Sequence, residues 1–221
     1  MTLSYSALKQ YATCPRQYNE VRVLKLHPRQ ESEQTIWGTK VHEAAELYIR
    51  DAKPFGFEFP GSDMVEALTG VSGDKYCELE LAVNDKLEPV AFGDPTAVLR
   101  GIADLVIISG NKARVVDYKT GSAKYPDTEQ LELMALMVFA KFPEVEKSHG
   151  ALLFLAQNTI IQAITKKEDS TRLWANWFGK VERVASAHET AVWNAKNSGL
   201  CKGWCPCTTC EHWSELRPKR R

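Results

Sequence analysis

The sequence predicts an α/β fold with a central mixed β-sheet flanked by helices, and three observations carry that expectation. Helix-period and strand-period segments alternate along the chain: helical at the start, β-rich in the middle, helical once, β-rich again and helical at the end. One helical segment separates the two β-rich stretches, as a crossover between parallel strands requires. The 221 residues, 44% hydrophobic and 25% charged, suit a single globular domain with a sizeable core and exclude collagen-like, low-complexity and wholly disordered chains.

Each element has its own signal. Leu3, Leu8, Tyr11 and Ala12 fall at helical spacing over residues 3–14, and Pro15 is expected to stop that helix. A second helix is expected over 32–49, with Ile36, Val41, Ala44, Ala45 and Tyr48 near one face. Residues 51–73 read as loop with a short helix at 64–68. Strands at 78–83 and 87–92 flank Asn84-Asp85-Lys86 as a hairpin. A long strand over 97–109 is closed by Ser109-Gly110-Asn111, and 113–118 pairs back on it antiparallel. Asp127 opens the next helix, with Gln130 three residues on in a capping-box-like start, and that helix runs to about Lys141. Strands at 151–156 and 159–165 turn about Gln157-Asn158, and an amphipathic helix covers 170–197. The expected organisation is one domain: residues 1–30 with the first helix and Cys14, 32–165 as the core, and 170–221 as the last helix and a cysteine cluster.

Charge and cysteine usage narrow the function. Twenty-eight basic residues balance 28 acidic ones, so a polyanion must be met by a local patch rather than by a net field. Basic excess sits at the two ends: Lys9, Arg16, Arg22, Lys25 and Arg29 against Glu20, and Arg217, Lys219, Arg220 and Arg221 against Glu215. No apolar run approaches the ~18–20 residues of a membrane span, and the start lacks a signal peptide's charged and apolar regions, which points to an intracellular protein with no membrane partner. Of six cysteines, Cys201, Cys205, Cys207 and Cys210 crowd together, which in a reducing compartment reads as metal ligation, by zinc or by an iron–sulfur cluster. Cys14 and Cys77 stand apart.

The expected chemistry centres on Gly101-Ile102-Ala103-Asp104 and Val115-Val116-Asp117-Tyr118-Lys119-Thr120-Gly121. Asp104 interrupts an apolar strand and Asp117 closes its neighbour. Unpaired carboxylates in central strands cost several kcal/mol, and two on paired strands repel unless a cation lies between them. Lys119 follows Asp117 by two, so both side chains share a face. A metal ligand beside an ammonium is what phosphodiester hydrolysis needs; an ordinary surface Asp–Lys pair is the plain alternative. His42, in Trp37-Gly38-Thr39-Lys40-Val41-His42-Glu43, is a candidate metal ligand on a helix. Glu80 would add a carboxylate, and Gln130 would hold substrate or Lys119, or cap its helix.

Together these residues resemble the PD-(D/E)XK nuclease superfamily, specifically RecB-like exonucleases with a cysteine-bound iron–sulfur cluster, in the version common among phage-encoded members. Leu3 to Arg16 looks like the N-terminal helix and Cys-Pro-Arg motif, and Gly38-Thr39-Lys40-Val41-His42 like the Gly-x-x-x-His motif. Gly101 to Asp104 and Val116 to Gly121 match the two carboxylate motifs, and Gln130-Leu131 the glutamine motif. Met134 stands where a tyrosine often follows that glutamine. The resemblance implies a restriction-endonuclease-like core whose two ends are stapled by iron–sulfur.

It also implies the site. His42, Asp104, Asp117 and the backbone carbonyl of Tyr118 would hold Mg²⁺ or Mn²⁺, and Lys119 would be the catalytic lysine. Cys14, Cys201, Cys205 and Cys210 would hold a [4Fe–4S] cluster, leaving Cys207 surplus; a local structural Zn²⁺ on Cys201, Cys205, Cys207 and Cys210 is the alternative. Arg16, Arg22 and Lys25 are the expected DNA contacts. The implied function is a metal-dependent deoxyribonuclease, an exonuclease on single-stranded DNA or ends, in the cytoplasm (the host's if phage-encoded), with a recombination or replication protein as possible partner. A CRISPR-associated spacer-processing nuclease and a non-catalytic iron–sulfur nucleic-acid-binding module are the rivals.

Overall fold

A computed structural model of the protein describes residues 1–28 and 31–215; the basic residues Arg29, Arg217, Lys219, Arg220 and Arg221 lie outside them. The chain divides into two compact units, Met1–Thr2 with Glu31–Asn176, and Leu3–Gln30 with Trp177–Arg221.

The first unit is built on a five-stranded mixed sheet of β1 (Asp74–Val83), β2 (Leu99–Ser109), β3 (Lys112–Lys119), β4 (Lys147–Phe154) and β5 (Thr159–Lys166), in that spatial order. Only β3 and β4 run parallel. Their connection carries α5 (Glu129–Lys141), the crossover that a parallel pair requires. Helices α3 (Glu33–Asp51) and α4 (Ser62–Thr69) cover one face. Val41, Ala45, Val65, Leu105, Ile107, Val116, Tyr118 and Leu153 form the buried core there. Helix α5 is buried along most of its length on the sheet; a Cβ at Gly150 of β4 would stand 2.9 Å from the Leu131 Cβ. Two glycine positions thus let a thick apolar helix lie close, for Met134 and Met137 fill the space over Gly101.

Several boundaries differ from the expectation. The 78–83 strand is longer and pairs with β2, not with 87–92. That second stretch makes only an isolated bridge, Val83 to Pro89. Asn84 explains it: its Oδ1 accepts from the amides of Lys86 and Glu88, and Leu87 is left-handed with φ 66°. Helix α5 starts at Glu129, and Asp127 accepts from the Glu129 amide at 3.2 Å, so Gln130 is not needed as a cap.

The second unit is assembled from both ends of the chain. Helix α1 (Tyr5–Thr13) is capped by Ser4, whose Oγ accepts from the Ala7 amide. Pro15 ends α1 but also begins α2 (Pro15–Tyr18), as proline's lack of an N–H permits at the first helical position. A π-helical turn, Asn19–Val23, follows. Helix α6 (Ser170–Thr190) supplies Trp177, Val181, Val184 and Ala187 to this unit's interior beside Leu3, Ala7, Leu8 and Tyr18. It stops seven residues short of the expected 197 because Ala191 turns left-handed, φ 54°. Tyr18 stacks on Trp193, and the Tyr11 hydroxyl donates to the Arg183 carbonyl at 3.0 Å. Among the described residues no helix is long and apolar enough to cross a membrane.

Candidate active site and cysteine centre

The β2–β3 ladder ends at the pair Leu105–Val116, and the strands open just before Asp104. The Asp104 carboxylate enters this fork, where its Oδ2 accepts the Tyr118 amide at 2.7 Å. A side chain thus takes the donor that a strand carbonyl would otherwise have satisfied. His42 reaches the same oxygen from α3, its Nδ1 3.4 Å away. Gly38 explains how the helix comes near enough: a Cβ there would stand 3.1 Å from the Thr120 Oγ1. Gly38 and His42, four apart, share one helix face. The His42 ring then meets Tyr118 edge-on at 5.8 Å.

Asp117 and Lys119 meet as strand alternation predicts. Lys119 Nζ lies 2.6 Å from Asp117 Oδ2. Gln130, the second residue of α5, joins them: its Oε1 accepts from Lys119 at 3.1 Å and its Nε2 donates to Asp117 Oδ1. Of the three roles expected for Gln130, a contact with Lys119 is present in the structure.

The sequence reading missed Glu78. Register places it directly opposite Asp104, between the pairs Cys77–Leu105 and Leu79–Ala103. Its backbone is left-handed, φ 47°, an uncommon state for a non-glycine strand residue. Ligand atoms of Glu78, His42 and Asp104 lie within 4.8 Å of one another. Glu80, the carboxylate singled out from the sequence, pairs opposite Ile102 and is exposed.

Electrostatics register the crowding. Burial and then the Asp104 charge raise the Asp117 carboxyl to about 6, although Lys119 and His42 oppose the shift. Burial, then Asp104 and Glu46, push Glu78 up as well. Burial works against a charged His42, but the hydrogen bond to Asp104 and that carboxylate's charge outweigh it, so His42 is raised. Like charges facing one another across a sheet are destabilising. A hard divalent cation, which takes oxygen and imidazole donors, fits this group.

In the second unit a cavity is lined by Cys14, Cys201, Cys205, Cys207 and Cys210. The Lys196 amide donates to the Cys14 sulfur and the Ser198 amide to the Cys201 sulfur, both at 3.4 Å. Burial, then the neighbouring Glu20 carboxylate and Cys205, push the Cys207 thiol up. Cys77 stands in the first unit, in β1. The basic residues expected at DNA are differently engaged. Arg16 is ion-paired with both Glu20 and Glu211 at 2.8 Å, so its charge is neutralised locally. Arg22 donates to the side chains of Gln10 and Ser6, whereas Lys25 is exposed.

No curated protein matches the chain. Among solved structures it is similar to "Putative exonuclease" from Eubacterium rectale, at 11% identity and a TM-score of 0.52, over 95% of this chain and 86% of that one. It is also similar to SSO0001, at 14% identity and a TM-score of 0.47, over 95% and 85%. The family model described as the PD-(D/E)XK nuclease superfamily matches residues 2–214, and to that superfamily the chain belongs.

Proposed function

We propose that the protein is a divalent-metal-dependent DNA exonuclease acting on single strands or strand ends. The observation that carries this reading is the convergence of His42, Glu78 and Asp104 beside an Asp117–Lys119–Gln130 triad. His42, Asp104, Asp117 and the Tyr118 carbonyl would hold Mg²⁺ or Mn²⁺, with Glu78 as a further ligand. Once bound, such an ion acidifies water and withdraws charge from phosphoryl oxygens.

The remaining work belongs to the chain's own groups. Lys119 offers its ammonium to the attacking oxygen or to the negative charge that develops on the phosphate. Asp117 keeps that amine from swinging into solvent, and Gln130 fixes both partners, so Gln130 is a positioning residue. Asp104 holds the strand fork through the Tyr118 amide while its other oxygen remains for a ligand. The relative named as an exonuclease is in keeping with cleavage from ends.

In the second unit we assign a [4Fe–4S] cluster to Cys14, Cys201, Cys205 and Cys210. Soft thiolates and apolar walls suit iron–sulfur ligation, and amides donating to two of the sulfurs tune such centres. The setting that suits all six free thiols is a reducing cytoplasm, where DNA processing, phage recombination included, takes place.

The test is incubation of anaerobically purified protein with end-labelled single- and double-stranded DNA in Mg²⁺, Mn²⁺ or EDTA. Cleavage from ends that needs the cation and vanishes in Asp117→Ala and Lys119→Ala is expected; unchanged cleavage in both variants refutes the assignment. The purified protein is expected to be brown, and a colourless, iron-free preparation contradicts the cluster.

A further inference from the structure

We propose that Glu20, His27 and Cys207 form a zinc site that borders the cysteine cavity, which Cys207 also lines, and that is distinct from the carboxylate site of the sheet unit; the proposal rests on Cys207 not being a ligand of the cluster assigned above. One ligand atom from each of the three lies within 4.8 Å of the others. The chain is bent to bring them together. After the π-helical turn, Lys25 adopts a left-handed backbone, φ 53°, and the Leu26 amide donates back to the Glu20 carbonyl at 2.8 Å. This reversal delivers the His27 Nε2 to 2.9 Å from the Glu20 Oε2. Cys207 arrives from the other end of the chain, only 2% exposed, with its sulfur beside the same carboxylate.

The donor set selects the ion. One sulfur, one imidazole nitrogen and one carboxylate oxygen are each ordinary ligands of zinc, whereas a soft thiolate is a poor partner for Mg²⁺ or Ca²⁺. Three protein ligands leave a fourth tetrahedral position for water. Outer contacts already orient the carboxylate: Arg16 Nε donates to Glu20 Oε1 at 2.8 Å, leaving Oε2 turned to His27. Arg16 is itself held by Glu211. A free thiol is largely protonated at neutral pH. Zinc binding forms one Zn–S bond, breaks the S–H bond and releases that proton to solvent, with no change of oxidation state. The site gives the surplus cysteine a role, and it ties residues 20–27 to 207 by a link that oxidation of an iron–sulfur cluster leaves in place.

The experiment measures iron and zinc together in the anaerobically purified, full-length protein, after incubation with zinc sulfate and desalting. About one zinc per chain is expected. It is lost in Cys207→Ser and His27→Gln with iron content unchanged, and Arg16→Gln weakens it about 10–100-fold. In the Co²⁺-substituted protein a thiolate charge-transfer band is expected that Cys207→Ser removes, a readout that does not depend on His27→Gln folding. Wild-type protein that retains no zinc overturns the proposal. So does zinc that survives Cys207→Ser and His27→Gln but is lost in Cys14→Ser or Cys201→Ser, since that zinc belongs to the cysteine cavity. A protein free of iron whose zinc still depends on His27 upholds this site and refutes the iron–sulfur assignment.

Discussion

Asp117 carries the sharpest conflict between folding and chemistry. Its carboxyl is raised from 3.8 to about 6 by burial and by Asp104. A folded value above the unfolded one means that this residue's contribution to stability is fully present below about pH 4 and is lost as pH rises through about 6. At pH 7 the metal-free protein therefore holds an anion that its surroundings disfavour, at a cost of about 1–3 kcal/mol. Asp117→Asn is expected to raise the melting temperature of the metal-free protein at pH 7, to leave it nearly unchanged at pH 4, and to abolish cleavage. Thermal melts in EDTA at the two pH values check this; an equal shift at both excludes the electrostatic cause. Glu78 belongs to the same conflict from the opposite strand. Glu78→Gln is expected to weaken Mn²⁺ binding by tenfold or more while the fold persists, which calorimetric titration reads; undiminished binding removes Glu78 from the ligand set. The sequence displayed Asp104, Asp117 and Lys119 because charges interrupt apolar strands there. Glu78 stayed hidden because Glu80 lies two residues away on the same strand, and only the β1–β2 register shows which of the two carboxylates faces Asp104.

At the scale of elements, α5 is the piece on which the site depends, because it carries Gln130 to Asp117 and Lys119. Its seat on the sheet depends on glycine at 150. A Cβ there would lie 2.9 Å from the Leu131 Cβ, an atom that cannot swing away as a side-chain tip could. Gly150→Ala is therefore expected to destabilise by about 1–3 kcal/mol, the usual range for overpacking, and to reduce cleavage by displacing Gln130. Urea denaturation and a turnover assay check both halves, and wild-type stability with wild-type turnover contradicts the argument. Strands β2 and β3 and the crossover helix were legible because their apolar runs and turn residues agree with their tertiary partners. The 87–92 segment was not: its composition suits a strand, but Asn84 folds the backbone into a turn that shifts the pairing. Ala191 in a left-handed state likewise ends α6 without any glycine or proline to announce it.

On the scale of the molecule, the two ends of the chain make one unit and the middle makes the other. The sheet unit draws on a large continuous core, whereas the terminal unit buries a short set of residues around Trp177 and Tyr18 and joins segments far apart in sequence. Joining such segments costs loop-closure entropy, and a cluster that includes Cys14 and Cys201 closes nearly the whole chain. By the chain-entropy estimate this is worth about 4–5 kcal/mol at most. Removing the cluster proposed above should therefore loosen the terminal unit selectively. Hydrogen exchange is expected to speed by up to about 10³-fold at the amides of α1 in Cys14→Ser or after iron chelation, while β2 and β3 keep their protection. Cys77→Ser, a change within the sheet unit, leaves α1 as protected as before on this view. Equal loss of protection in α1 and in the central strands, or none in either, would mean that the cysteine cavity does not staple the ends, and their joining would then rest on packing such as that of Tyr11, Tyr18 and Trp193 and on polar links such as Arg16 to Glu211.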